Sequence, residues 1–196
     1  MRISLPNSNT FSKVFFQSLG KEIDDQIKGI ATDSREIQSG DLYIAIPGEN
    51  FDGHSFLKEV FIAGASAALV SSPKDNLKGS QIIVDNTIEA IGKVATKWRE
   101  QYQIPIIGIT GSNGKTSTKE LLRHVLSSKF DIHATEGNYN TSIGLPLTLL
   151  QLNAFHGASI IEMGANQKGD IDVLAKIAKP NYGLITNIAP AHLEGF

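Results

Sequence analysis

The stretch that most constrains the fold is residues 106–118, with the sequence IIGITGSNGKTST. It opens with β-branched residues, which predict a short buried strand, and then passes through a glycine-rich turn. From Lys115 onwards, apolar residues recur at helical spacing: Leu121, Leu122, Val125 and Leu126. A strand, a glycine-rich turn and a helix N-terminus together form a cradle for phosphate, because backbone N–H groups and the helix dipole converge on an anion.

The loop departs from the standard phosphate-loop pattern, G-x-x-x-x-G-K-[ST]. In that pattern Lys115 would reach the β- and γ-phosphates, and the Thr116 hydroxyl would bind Mg²⁺. The residue five places before Gly114 is Ile109, however, and Gly108 comes one place too early. The alternative is an ordinary strand–turn–helix with a glycine-rich corner. The strand before the loop and the helix after it favour nucleotide binding.

Composition excludes several classes of protein. The chain has 196 residues, 41% of them hydrophobic, so it can bury a core as one large domain or two small ones. A net charge of −2 gives no electrostatic argument for nucleic-acid binding. There is no cysteine, no signal-peptide pattern at the start, and no apolar run long enough for a membrane helix. We therefore expect a soluble cytoplasmic protein without membrane insertion.

Strands alternate with helices along the chain, which predicts an α/β fold with largely parallel sheets. A second strand–helix series starts after residue 85. We therefore predict a small N-terminal α/β domain over residues 1–85. A parallel-sheet domain of the phosphate-loop type follows over residues 86–196.

Three polar segments follow predicted elements of the second domain. Glu162 ends a buried strand, where ligands of α/β sheets usually lie, so it is a candidate Mg²⁺ ligand; the alternative is a solvated acid. His192 follows another strand, and on the residues alone a polar-loop histidine is favoured over a metal ligand. Residues 135–146 form either a turn or a substrate loop.

At this point the segments resemble those of a known family. The loop TGSNGKTS at 110–117 is similar to the ATP loop of the Mur ligases, ATP-dependent amide-forming enzymes of peptidoglycan synthesis, which carries the same displaced glycine. The segments DSR at 33–35, GDLYIA at 40–45 and GENFDGH at 48–54 resemble the uridine domain of the E and F types. EMGAN at 162–166 and TNIAPAHLEGF at 186–196 resemble the F type in particular.

The resemblance implies a UDP-substrate-binding first domain and a central ATP-binding second domain. The F type joins D-alanyl-D-alanine to a UDP-N-acetylmuramoyl-tripeptide through an acyl phosphate, using ATP and Mg²⁺. The implied ATP-binding residues are Thr110, Gly111, Ser112, Asn113, Gly114, Lys115, Thr116 and Ser117. The implied substrate-binding residues are Ser34, Arg35, Asn138, Asn140, Thr141 and Ser142. The implied metal-site residues are Thr116, Glu162 and His192, and the implied catalytic residues are Lys115, Glu162 and His192. The family often has a second asparagine where Thr141 stands.

The family also has a C-terminal domain and a longer central domain than this sequence contains. We therefore expect a central domain that is incomplete at its C-terminus, a chain that is inactive by itself, and a monomeric complete enzyme. Two alternatives differ in class. A non-catalytic module could bind nucleotide or UDP-substrate without turnover, and a turnover assay separates it from a ligase. A switch GTPase would carry Asn-Lys-x-Asp, and no asparagine here is followed by lysine.

Overall fold

The computed structural model describes residues 1–23, 27–48 and 51–190. The chain forms two compact units, Met1–Val94 and Ala95–Phe196. Both contain a sheet of mainly parallel strands with helices between them, so the α/β prediction is confirmed. His192 lies outside the described residues, so its role at the metal site stays a prediction. In the described part of the chain, no helix combines the length and apolar character needed to cross a membrane.

The first unit contains a five-stranded sheet in sequence order, β1-β2-β3-β4-β5. Strand β1 runs antiparallel to β2, and the remaining neighbours are parallel. The strands are β1 (Arg2–Ser4), β2 (Gly29–Ala31), β3 (Asp41–Ile44), β4 (Ala67–Val70) and β5 (Ser80–Ile83). The helices are α1 (Ser8–Leu19), α2 (Leu57–Ile62) and α3 (Thr87–Arg99), and α3 contains the boundary between the two units.

Burial on both faces explains the apolar sequences of the central strands. Every residue of β3 and β4 is buried, as expected for parallel strands covered by helices. Asp41 is the charged residue in these two strands, and it is fully buried. Its carboxylate accepts two hydrogen bonds from the Arg2 guanidinium, at 2.7 and 2.9 Å. Such a pair satisfies the buried carboxylate, and it attaches β1 to β3 across β2.

The second unit contains a four-stranded, fully parallel sheet in the order β7-β8-β6-β9. Its strands are β6 (Ile106–Thr110), β7 (Ile132–Ala134), β8 (Ala158–Glu162) and β9 (Tyr182–Ile185). Its helices are α4 (Lys115–Leu126), α5 (Gly144–Leu149) and α6 (Asp170–Ala178). Because all four strands run the same way, the segments that follow β6, β7, β8 and β9 meet at one edge of the sheet.

Helix α4 begins at Lys115, as the sequence predicts, but it buries a different face. Leu122 and Leu126 pack against the core, whereas Leu121 and Val125 are 69% and 64% exposed. Lys119 is 2% exposed and completes the buried stripe. Residues 119, 122 and 126 lie on one face of the helix. Hydrophobic periodicity does not predict that the lysine of this face is buried.

Candidate functional site

The loop between β6 and α4 forms one wall of a cavity of about 360 Å³. Gly114 has a φ of 80°, a left-handed conformation that favours glycine, and it precedes the first turn of α4. The N–H groups of that first turn have no acceptor within the helix, so they are suited to an anion. The cavity is lined by Ser112, Asn113, Gly114, Lys115, Thr116, Ser117, Gly137, Asn138, Asn140 and Glu162.

Glu162 is held in this cavity by two side chains from other segments. Its Oε2 accepts a hydrogen bond of 2.9 Å from the Thr116 hydroxyl, and its Oε1 accepts one of 2.9 Å from the Asn140 amide. Glu162 is 2% exposed, so it is not the solvated acid of the alternative interpretation. Two of the three implied metal-site residues, Thr116 and Glu162, are therefore in contact, while their role toward a metal stays a prediction.

Thr135 and Lys119, which are not among the predicted site residues, support the backbone of Glu162. The Glu162 backbone N–H donates to the Thr135 hydroxyl at 2.9 Å, and the Thr135 carbonyl accepts from the Lys119 ammonium at 2.6 Å. Lys119 also pairs with Glu120 at 3.0 Å. The only signal in the sequence is that Lys119 lies three residues after Thr116, on the same side of a helix.

Lys115 lies along the loop that precedes it. Its ammonium donates to the Gly111 carbonyl at 2.6 Å, with the Ser112 carbonyl at 3.4 Å. A phosphate oxygen is a stronger acceptor for an ammonium group than a neutral carbonyl. The side chain is therefore positioned to exchange these loop contacts for a bound anion.

The residues at this edge supply oxygen donors of the kind that bind a magnesium ion. Within residues 1–23, 27–48 and 51–190, no three His, Cys, Asp or Glu side chains cluster as a metal site would require. Magnesium, however, is usually held by one or two carboxylates together with phosphate oxygens and water. A hydroxyl from Thr116 in contact with a carboxylate from Glu162, beside a phosphate cradle, supplies oxygen donors of that kind.

The implied substrate residues fall into three places. Asn138 and Asn140 line the loop cavity. Thr141 and Ser142 line a second cavity of about 490 Å³ in the same unit, with Asp170 on its wall. The other two implied residues, Ser34 and Arg35, belong to the first unit.

In the first unit, Ser34 and Arg35 line a cavity of about 700 Å³ together with Tyr43 and Phe51. The Arg35 guanidinium donates two hydrogen bonds to Asp33 and is 86% exposed. These hydrogen bonds hold the pKa of the Asp33 carboxyl well below its usual range. Arg35 therefore lies at the cavity, but its guanidinium group is paired with the Asp33 carboxylate. A diphosphate would have to displace that carboxylate in order to bind Arg35.

Models of two Mur ligase domains match the chain. The model described as "Mur ligase family, catalytic domain" matches residues 26–109, and the Mur ligase middle domain matches residues 109–196. UDP-N-acetylmuramoyl-tripeptide–D-alanyl-D-alanine ligases from Synechocystis sp. and Bacillus subtilis are 44% and 41% identical, over 98% and 86% of this chain. The chain spans 43% and 37% of the lengths of these relatives, which is less than half of each.

Solved structures agree with this assignment. A MurF crystal structure from Acinetobacter baumannii is 37% identical, with a TM-score of 0.91, over 99% of this chain and 44% of that one. A MurF ligase from Thermotoga maritima in complex with ADP is 35% identical, with a TM-score of 0.78, over 84% of this chain and 38% of that one. The domain models, the relatives and the folds all indicate one family. This chain belongs to the Mur ligase family, has F-type ligases among its relatives, and carries the family's N-terminal and middle domains.

Proposed function

We propose that this chain is the UDP-substrate-binding and ATP-binding part of a ligase that joins D-alanyl-D-alanine to UDP-N-acetylmuramoyl-tripeptide. The observation that carries the proposal is the contact of Thr116 and Asn140 with the buried Glu162 carboxylate beside the glycine-rich loop. The names of the F-type relatives supply the substrates.

The proposed chemistry starts from a carboxylate, which is a poor acylating agent because oxide is a poor leaving group. Transfer of the γ-phosphoryl group from ATP gives an acyl phosphate, and the amine of the dipeptide then displaces phosphate to form the amide. Negative charge gathers on non-bridging oxygens in both steps, so catalysis needs positioned positive charge and N–H donors. Lys115 and the first turn of α4 would supply them, and no side-chain nucleophile is required.

Thr116 and Glu162 would hold Mg²⁺, with His192 as a further candidate outside the described residues. When bound, the ion would neutralise phosphate charge during transfer. The oxygen donors in contact at 2.9 Å support this part of the proposal. Asn140 orients the carboxylate from its other oxygen.

The cavity of the first unit would take the UDP end of the substrate. It combines aromatic walls from Tyr43 and Phe51 with the polar groups of Ser34 and Arg35. A planar guanidinium suits a diphosphate because it can bind two oxygens at once. The proposed domains therefore remain residues 1–85 for the UDP-substrate and residues 86–196 for ATP. We also propose that the complete enzyme is cytoplasmic, because ATP and UDP-linked sugars are cytoplasmic metabolites. A monomeric state is proposed on the family resemblance alone.

Calorimetric titration of this chain with MgADP tests the nucleotide site. Lys115→Met removes the ammonium from the loop and should weaken binding by about ten- to hundredfold, the effect of losing one charge-assisted contact. Lys176→Met is the matched control, since Lys176 is 75% exposed on α6 and pairs only on the surface with Asp172. Equal affinities for the wild type and Lys115→Met would contradict the proposal.

The reaction itself is tested in the complete gene product that carries this sequence. With ATP, Mg²⁺, UDP-tripeptide and D-alanyl-D-alanine, mass spectrometry should detect the pentapeptide product, and Lys115→Met should abolish it. Nucleotide binding without any product would favour the non-catalytic module instead.

A further inference from the structure

The phosphate loop comprises residues 111–114, between β6 and α4. It is hydrogen-bonded to a segment that is distant in the sequence, residues 186–189, which we call the clasp segment. Strand β9 pairs with β6, and Thr186 extends this pairing by donating its N–H to the Thr110 carbonyl at 2.9 Å. The chain leaving β9 therefore runs beside the loop that leaves β6. This geometry places the clasp segment against Ser112 and Asn113.

The clasp segment accepts hydrogen bonds from two backbone N–H groups of the loop. The Ser112 N–H donates to the Asn187 carbonyl at 3.1 Å, and the Asn113 N–H donates to the Asn187 side-chain oxygen at 2.9 Å. These two donors therefore face the clasp segment. The N–H groups of the first turn of α4, which follows Gly114, have no acceptor within the helix and can bind an anion.

Side chains reinforce the contact from both directions. The Ser112 hydroxyl donates to the Ala189 carbonyl at 2.7 Å and accepts from the Ala189 N–H at 2.9 Å. The Thr186 hydroxyl donates to the Asn113 carbonyl at 2.6 Å. At Gly111, whose φ is 134°, any β-carbon would collide with the Thr186 hydroxyl. The loop and the clasp segment are thus packed together as well as hydrogen-bonded.

We infer that Thr186 and Asn187 are positioning residues that keep the phosphate loop in its binding conformation. Glycines at positive φ make such a loop flexible, so ordering it upon binding would cost affinity. Contacts that already hold Ser112 and Asn113 reduce that cost, which is the effect of preorganisation. The inference rests on the proposed nucleotide function, and it gives Ser112 and Asn113 a role in shaping the loop.

The test compares Thr186→Val, which removes the hydroxyl but keeps the branched shape, with Thr186→Ser, which keeps the hydroxyl. Loss of one neutral hydrogen bond should raise the Kd for MgADP about threefold to tenfold in Thr186→Val, and Thr186→Ser should restore affinity. Ile188→Ala is the control within the segment, because Ile188 is 88% exposed, and it should bind like the wild type. The Trp98 fluorescence of all three variants should match that of the wild type, which shows that the fold of the unit is retained.

Amide hydrogen exchange, measured by NMR without nucleotide, provides the second readout. The Ser112 and Asn113 amides should exchange faster in Thr186→Val and in Asn187→Ala, by a similar threefold to tenfold. Unchanged exchange, or faster exchange with unchanged MgADP affinity, would overturn the inference. If the wild-type chain binds no MgADP, the proposed function fails, whereas the exchange data still decide whether the clasp segment holds the loop.

Discussion

Thr135 connects the buried lysine of α4 to the backbone of Glu162, so its hydroxyl should matter for stability. Thr135 is 1% exposed, and its hydroxyl accepts the Glu162 N–H at 2.9 Å. Thr135→Val keeps the shape of the side chain but leaves that N–H buried without an acceptor. An unsatisfied buried donor costs about 1–3 kcal/mol, and we expect the free energy of unfolding of the second unit to fall by this amount.

The chain offers a probe and a matched control for this measurement. Trp98 is the only tryptophan, is fully buried in the second unit, and donates its indole N–H to the Leu152 carbonyl at 3.1 Å. Its fluorescence during urea unfolding therefore reports on that unit. Thr148→Val removes an equally buried hydroxyl, but that hydroxyl donates to the Gly144 carbonyl, which keeps its own α-helical hydrogen bond. The control should lose less than about 0.5 kcal/mol.

The result is read from the urea midpoint at constant m-value, because an unchanged m-value shows that the same surface is exposed on unfolding. In a unit of about 100 residues, a loss of 2 kcal/mol should also lower the thermal midpoint by roughly 8–16 °C. Equal midpoints for Thr135→Val and Thr148→Val would refute the reasoning. They would mean that the Glu162 N–H finds another partner once the hydroxyl is gone.

Three further predictions concern the same unit. Glu162→Gln should reduce by about ten- to hundredfold the factor by which Mg²⁺ strengthens ADP binding, as measured by titration with Mg²⁺ and with EDTA; an unchanged factor would separate Glu162 from the metal. Burial of His133, which is 8% exposed, together with the nearby His156, lowers the pKa of His133 to about 4. The unfolded chain therefore binds a proton between pH 6.5 and 4 that the folded chain does not, and stability should fall on acidification by up to about 1.4 kcal/mol per pH unit, a slope that His133→Gln should flatten in urea titrations. Gly111→Ala should destabilise the fold by about 1–3 kcal/mol through its positive φ and the contact with the clasp segment, whereas Gly183→Ala, with open space around it, should not lower the thermal midpoint.

Short-range features of this protein were determined by the sequence itself. Strand β6, the glycine-rich loop and helix α4 are contiguous, so their β-branched residues, glycines and helical spacing already predict the strand, the turn and the start of the helix. The same holds for Glu162 at the end of β8, since an apolar strand ending in a carboxylate already indicates the ligand edge of a parallel sheet. The strands β1, β2 and β7 escaped prediction because three residues are too few to establish a period.

Long-range contacts were decided only by the tertiary structure. The order β7-β8-β6-β9 brings the segment after β9 beside the loop after β6, and this alone connects Asn187 to Ser112 and Asn113. Likewise, only the packing of α4 on the sheet shows that Lys119 lies on the buried face of the helix. That burial is possible because the Thr135 carbonyl and Glu120 satisfy the ammonium. Hydrophobic periodicity carries no information about such partners, because it records which residues avoid water and not which distant polar groups meet.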